Sequence, residues 1–313
     1  MERLKKYISP FLLILAAMIW GFAFSAQDAA ASVPPLTLGA VRSIFAALFL
    51  IPIISAFDKI LGTGRRLFSK QKKIDINKTE LIGGIICGAV LALASFFQQV
   101  GIAQGTDAGK AAFITALYVV LVPVYALALK KHAPINVWIS MPIAIAGFYL
   151  LCITDGFSIV ISDLFVLLCA LIFPIHILAI DRFSPSCDGI RMSSVQFLAA
   201  AVINTALALI FEAPIDFAVI GKSIMPLLYL GIGSSGIAYT LQIIGQRGAN
   251  PAAASILLSL ESVFGVLGSA LFLGEKMLTR EYIGCAVVFV AVIISQMELG
   301  TILRKKNKQP PLD

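Results

Sequence analysis

Three ionisable side chains stand inside long apolar stretches of this sequence: Arg42, His176 and Glu261. A charge in hydrocarbon costs several kcal/mol, so each of these groups requires a partner or a water-filled cavity. Glu261 lies near the middle of the stretch 251–273, and its neighbours on the same helical face are small or apolar. Such a face meets another helix more readily than lipid. The carboxyl group is then either a substrate or proton site, or a structural hydrogen-bond partner of a nearby backbone group.

Arg42 and His176 allow two interpretations each. Arg42 stands a short distance into the stretch 36–57, so its guanidinium can contact a carboxylate of a substrate or of Glu261. Its length also allows it to reach the headgroups from within the membrane. His176 titrates near neutral pH and can relay protons, although a lone histidine in an apolar stretch is also a common packing residue.

Neutral polar and aromatic side chains accompany these charges. Gln99 and Gln242 occupy matching positions in the two halves of the chain, as described below, and Trp20, Tyr118 and Tyr239 supply aromatic surface. A cavity for small solutes combines apolar walls with a few hydrogen-bonding groups. We therefore expect a substrate cavity with eight side chains: Trp20, Arg42, Gln99, Tyr118, His176, Tyr239, Gln242 and Glu261.

Motifs of membrane enzymes are missing from the sequence. The histidines His132 and His176 are far apart, and the chain has no HExxH, Gly-x-Ser-x-Gly or Walker motif. The cysteines Cys87, Cys152, Cys169, Cys187 and Cys285 show no metal-ligand or redox spacing. We expect no catalytic residue, metal or cofactor. An integral membrane enzyme and a passive channel remain the alternatives to a transporter.

The composition requires a membrane around these residues. Hydrophobic residues make up 59% of the chain and charged residues 13%, about half the charged fraction of a typical soluble domain. The net charge of +7 comes from tails and short connections, whereas nucleic-acid binders group basic residues on a folded face. The expected partners are a lipid bilayer and a small-molecule substrate, not nucleic acid. The chain is expected to be a monomer or a weak homo-oligomer.

Ten apolar stretches are long enough to cross a bilayer, which takes about 20 residues of helix. They cover 8–27, 36–57, 80–102, 110–129, 135–153, 160–180, 191–211, 224–245, 251–273 and 280–299. The sequence predicts an all-α integral membrane protein of ten transmembrane helices.

Basic residues are distributed unequally between the two sets of loops. With the N-terminus inside, nineteen Lys and Arg residues fall on the inner side and four on the outer side. Because basic loops stay in the cytoplasm, we expect a multi-pass protein of the cell membrane with both termini cytoplasmic.

The second half of the chain repeats the first. Leu15–Trp20 matches Leu168–Phe173, Arg42 falls on Gln196, and Gln99 falls on Gln242. Gly105-Thr106-Asp107 and Ile114–Leu117 match Gly248-Ala249-Asn250 and Leu257–Leu260. Each half has five spans, an odd number, so the second half enters the membrane from the opposite side. The pattern predicts two inverted five-helix repeats at 8–153 and 160–299, followed by a cytoplasmic tail at 300–313.

These residues also resemble a known family. Trp20-Gly21, Arg42, Leu258–Phe264, Leu271–Glu275 and Gly284 look like the EamA-type transporters of the drug/metabolite transporter superfamily. The resemblance implies export of small metabolites or amino acids by alternating access. Proton coupling is compatible with Glu261 but not required by it.

The sequence departs from the pattern of this family at two places. Lys130-Lys131-His132 stands where glycine-glutamate is common, and Ser262 replaces a common proline. The first departure concerns the role of a loop and leaves the expected fold unchanged.

Overall fold

A computed structural model describes residues 2–60, 76–153, 159–268 and 277–297. The basic cluster at 65–73, the family-like stretch Leu271–Glu275 and the tail 300–313 lie outside these residues. The described residues form helices and short connections, without a β-strand. Since hydrocarbon offers no partner to backbone amides and carbonyls, a chain this apolar satisfies them within helices.

The helices follow one another in this order. They are α1 (Glu2–Ala29), α2 (Pro35–Ile60), α3 (Lys78–Ala103), α4 (Ala108–Ala116), α5 (Tyr118–Ala128), α6 (Ile135–Cys152), α7 (Ile161–Phe183), α8 (Gly189–Phe211), α9 (Phe217–Lys222), α10 (Ile224–Leu228), α11 (Tyr239–Gly245), α12 (Pro251–Leu258), α13 (Glu261–Gly268) and α14 (Thr279–Gln296). A 3₁₀ turn, Ser184–Ser186, follows α7, and a π-helix, Tyr229–Ala238, joins α10 to α11.

Ten spans in the described residues are long and apolar enough to cross a bilayer, which confirms the predicted number. The fourth span consists of α4 and α5, and the ninth of α12 and α13; the eighth contains α10, the π-helix and α11. Each of the other spans is one continuous helix. The spans begin and end within a few residues of the predicted limits, except for the sixth, which continues to Ser186; the predicted end of the ninth, at 273, lies outside the described residues.

The fourth and ninth spans break at matching positions of the two repeats. Leu117 separates α4 from α5, and its amide bonds to Ile114 at 3.2 Å. In the ninth span Leu260, which corresponds to Leu117, makes the same tight turn to Leu257 at 3.2 Å. These tight turns leave some backbone amides and carbonyls in mid-membrane without their regular helical hydrogen bonds. Such groups are tolerated only where protein or a water-filled cavity surrounds them. These breaks therefore indicate the protein interior.

The entrances to both broken spans also correspond. Gly105 and Gly248 adopt φ angles of +101° and +80°, a left-handed conformation that favours glycine. Asp107 and Asn250 then precede the first turns of α4 and α12, and Asn250 accepts hydrogen bonds from two amides of that turn. The repeat is thus visible in backbone conformation as well as in residue type.

The closest helix pairs join one repeat to the other. Helix α1 packs against α13, α2 against α8, α3 against α7 and α8, and α6 against α14. The two repeats therefore interlock, and any cavity on their common axis is lined by both. The fifth and tenth spans, α6 and α14, pack against each other through Gly147 and Gly284.

The contact between Gly147 and Gly284 leaves no room for a side chain. A Cβ at Gly284 would lie 2.8 Å from the Leu151 amide and 2.9 Å from the Gly147 carbonyl. Gly284→Ala should therefore separate α6 from α14 and cost about 1–3 kcal/mol, a typical penalty for overpacking. Thermal unfolding in detergent measures this as a lower midpoint. Gly109→Ala is the control, because the nearest atom to its Cβ is 3.8 Å away; an equal loss in both variants would contradict the packing argument.

Candidate functional site

A cavity lies between the two repeats, at the level of the breaks in the fourth and ninth spans. Seven of the ten spans contribute to its wall. The lining residues are Trp20, Ala23, Phe24, Gln27, Arg42, Gln98, Thr115, Tyr118, Phe173, Ile177, Ser234, Tyr239, Gln242, Leu258 and Glu261. None of them belongs to α6, α8 or α14.

The cavity is narrow in this conformation. Its water-accessible volume is about 40 Å³, and one water requires at least about 10–15 Å³. The space thus holds a few waters, and a solute of metabolite size enters only if the walls separate.

Repeat-related residues face each other across this cavity. Trp20 and Phe173 are one such pair, and Tyr118 and Glu261, which directly follow the breaks in the fourth and ninth spans, are another. Both side chains line the same cavity, with the Tyr118 phenol and the Glu261 carboxyl as neighbours. The cavity therefore lies on the axis that relates the repeats, and equivalent positions carry different chemistry.

Glu261 is the first residue of α13 and is 6% exposed. The first turn of a helix favours a negative charge, because its amide groups lack helical partners. As expected from its small neighbours, α13 packs closely against another helix: a Cβ at Gly21 of α1 would lie 2.7 Å from the Gly265 amide. Glu261 consequently faces the protein interior and not lipid.

Arg42 does not extend to the membrane surface. It is 7% exposed, and its guanidinium donates to two hydroxyls of the π-helix, Ser235 at 3.0 Å and Ser234 at 3.2 Å. Neither Glu261 nor any other carboxylate of the described residues forms an ion pair with it. Arg42 therefore lies at the cavity wall, apart from both Glu261 and the membrane surface.

Aromatic rings form one wall of the cavity. The rings of Trp20 and Tyr239 are 4.6 Å apart, and the Trp20 indole donates to the Ser234 carbonyl at 3.0 Å. On the opposite side Phe173 lies 6.4 Å from the ring of Tyr118. These contacts hold the rings in fixed positions around the space.

His176 is close to the cavity but is not part of its wall. It is fully buried, its Nε2 lies 3.0 Å from the Gln196 carbonyl oxygen, and its ring packs edge-on against Tyr239 at 5.6 Å. In this conformation it packs behind Tyr239, one residue layer away from the cavity wall.

The glutamines are arranged differently from the sequence expectation. Gln242 lines the cavity, and its buried carbonyl oxygen has no partner among the described residues. In α3, however, Gln98 lines the cavity in place of Gln99. Gln27 of α1 donates to both, at 3.1 Å to Gln98 and 3.2 Å to Gln99, and Gln98 donates to Thr115 at 3.1 Å.

Gln27 and Ser234 were not identified from the sequence. Gln27 lies on the same helical face as Trp20, Ala23 and Phe24, which with it occupy positions i, i+3, i+4 and i+7 from Trp20. This spacing could have identified Gln27 as a neighbour of Trp20. Ser234 had none, because its position depends on the π-helix. No group of three metal-binding side chains occurs in the described part of the chain.

Comparisons with known proteins give the family. The EamA-like transporter family matches residues 8–153 and 160–297. An uncharacterized transporter of Archaeoglobus fulgidus is 29% identical over 95% of this chain and 89% of its own length. The uncharacterized transporter YoaV of Bacillus subtilis is 24% identical over 94% of this chain and 97% of its own length.

A solved structure, described as "Crystal structure of protein", has the same fold. It superposes with a TM-score of 0.72 at 18% identity, over 96% of this chain and 99% of that one. The family match covers both repeats and nearly the whole chain, and it agrees with ten spans, broken helices and a cavity between the halves. The chain is therefore a multi-pass membrane protein that belongs to the EamA-like transporter family.

Proposed function

We propose that this protein exports small metabolites or amino acids by alternating access, with a proton at Glu261 as the coupling ion. The observation that carries the proposal is the central cavity. It combines a carboxyl group and a guanidinium, Glu261 and Arg42, with aromatic and amide groups, beside two broken helices. Broken helices at the interface of inverted repeats are the usual binding-site architecture of secondary transporters.

A solute with polar groups of both signs fits the wall best. Arg42 suits an anionic group and Glu261 a cationic one, because each is complementary in charge. Gln98 and Gln242 supply neutral hydrogen bonds, and the rings of Trp20 and Phe173 suit an apolar part of the solute. This combination supports amino acids and similar metabolites as the substrate class.

Ion pairs at both ends of the bundle support a rocking mechanism. At the end that carries the connection 103–108, Lys110 pairs with Asp163 at 2.5 Å, and Thr106 donates to the same carboxylate at 3.0 Å. At the opposite end Lys131 pairs with Asp181. Both pairs join the fourth span to the sixth, so the cavity opens towards either end only if one pair breaks. Narrow walls and closures at both ends favour alternating access over a passive channel.

The environment of Glu261 supports proton coupling. The neutral phenol of Tyr118 is its neighbour in the cavity wall, and no described Lys or Arg forms an ion pair with it. The carboxyl can therefore gain or lose a proton without breaking a salt bridge. A change of charge at the start of α13 would alter the relative stability of the two access states, which is how a bound ligand drives such a transition.

The first test removes the charge of Glu261 and retains its shape. Glu261→Gln should lower transport driven by a pH gradient at least about tenfold and abolish its dependence on that gradient, because an amide cannot exchange a proton. Uptake and efflux in reconstituted vesicles measure both effects. Asp28→Asn, at an exposed position, is the control. Wild-type pH dependence in Glu261→Gln would assign Glu261 a structural role.

The second test concerns the size of the cavity. Phe173→Ala should admit larger solutes and weaken binding of small ones, because it removes a ring from the wall. Competition between a labelled solute and a panel of metabolites measures the change in selectivity. Ile139→Ala, on the fifth span with 45% of its surface exposed, should leave the selectivity unaltered. The proposal for the cavity fails if both variants keep the wild-type profile.

The third test concerns orientation, for which both termini are proposed to be cytoplasmic. Gln104 and His132 are exposed at opposite ends of the bundle. A membrane-impermeant maleimide added to intact cells should label Gln104→Cys and spare His132→Cys until the cells are opened. The native cysteines are buried or half-buried, so their background is low. The reverse labelling pattern would invert the proposed orientation.

A further inference from the structure

A second, smaller cavity shares Arg42 with the central cavity. The polar residues of its wall come from the second, third, seventh and eighth spans. The water-accessible volume of the cavity is about 10 Å³. The polar side chains in this wall are Arg42, Ser43, Ser95, Asn204 and Ser235. No described carboxylate lines it, so its only formal charge is that of the guanidinium.

The charge of Arg42 is not balanced within the described protein. Guanidinium has five N–H donors, and two of its nitrogens bond to Ser234 and Ser235. Hydroxyl dipoles satisfy donors but do not cancel a full positive charge. A buried charge is tolerated when it is paired and hydrogen-bonded, and Arg42, at 7% exposure, has the hydrogen bonds without the counter-charge.

Two further side chains of this cavity lack partners. Asn204 is 4% exposed and Ser43 is 3% exposed; neither makes a side-chain hydrogen bond to another described residue, and the polar atoms of both keep some surface open to the cavity. Buried polar groups normally have a partner, and those without one require an explanation such as an ion or water. The amide of Asn204 and the hydroxyl of Ser43 can both donate hydrogen bonds.

We propose that this cavity binds one small monovalent anion, with chloride as the physiological occupant. An anion supplies the missing counter-charge to Arg42 and an acceptor to Ser43 and Asn204. The cavity has room for no more than one small occupant, which excludes a larger organic anion. Arg42 then lies between two sites, with the anion on one side and the central cavity on the other. A water molecule would fill the space but leave the charge unbalanced.

Thermal stability of the purified protein in detergent, without a transport substrate, tests the proposal. Chloride replaces gluconate at constant ionic strength, and the unfolding midpoint is measured at each concentration. The wild type should show a saturable rise with chloride and with bromide, and none with sulfate. Ligands that bind only the folded state raise stability in this way. Because no transport is measured, failure here leaves the proposed export function untouched.

Variants locate the anion. Arg42→Gln should abolish the chloride response, and Ser43→Ala and Asn204→Leu should weaken the apparent affinity by about tenfold or more, since each removes a hydrogen bond to a charged group. Arg247→Gln, which alters an arginine bonded to the Pro185 carbonyl outside the spans, is the control and should keep the wild-type response. If Arg42→Gln does not fold, chloride NMR is used instead. The wild type should broaden the chloride signal, bromide should reverse the broadening, and Asn204→Leu should reduce it.

Three results would overturn the proposal. The first is a wild type whose midpoint does not depend on halide, which would leave water as the occupant. The second is an unchanged halide response in Arg42→Gln or Asn204→Leu, which would place the anion elsewhere. The third is stabilisation by formate without stabilisation by chloride or bromide, which would assign the cavity to the carboxylate of an organic solute.

Discussion

Hydrocarbon provides no hydrogen-bond partners, and the architecture of this protein follows from that constraint. Backbone amides and carbonyls inside the bilayer must pair within the chain, so the described residues of the spans are helical except at a few breaks. The same constraint limits where a helix can be interrupted. Leu117 and Ser259–Leu260, where the fourth and ninth spans break, are adjacent to the central cavity and not to lipid. The helix breaks are therefore tolerated because they lie next to the cavity.

The inverted repeat supplies a symmetric frame for an asymmetric site. Gly105 and Gly248 make equivalent turns, and the two broken spans turn at equivalent residues. The residues that follow the breaks differ, however: a phenol, Tyr118, on one side and a carboxyl, Glu261, on the other. Closely packed backbones tolerate little variation, whereas a side chain that faces a cavity is free to diverge. The ionisable group of the site, Glu261, thus lies at a position where the two repeats differ in residue type.

Charges inside the membrane are handled in two ways in this structure. Near the ends of the bundle, Lys110 and Lys131 pair with the carboxylates of Asp163 and Asp181 on the sixth span. At the cavity, Arg42 bonds to the neutral hydroxyls of Ser234 and Ser235, and neither Arg42 nor Glu261 forms an ion pair with a described residue. Charges of the second kind remain available to a ligand or a proton, because no internal ion pair has to be broken first. The paired charges near the ends of the bundle thus differ from the unpaired charges at the cavity, which are free to interact with a ligand.

The sequence by itself determined the class of protein, the ten spans, the repeat and the family, since all of these depend on hydrophobicity and order along the chain. It also identified six of the fifteen residues in the cavity wall, because Trp20, Arg42, Tyr118, Tyr239, Gln242 and Glu261 are polar or aromatic groups at membrane depth. The repeat boundaries and the orientation stay predictions. Only the tertiary structure decided that Gln98 replaces Gln99, that His176 stands behind the wall, and that Ser234 and Ser235 bind Arg42. The reason is that adjacent residues on a helix point about 100° apart, so helix rotation selects which one faces the cavity, and that rotation is set by packing between distant segments.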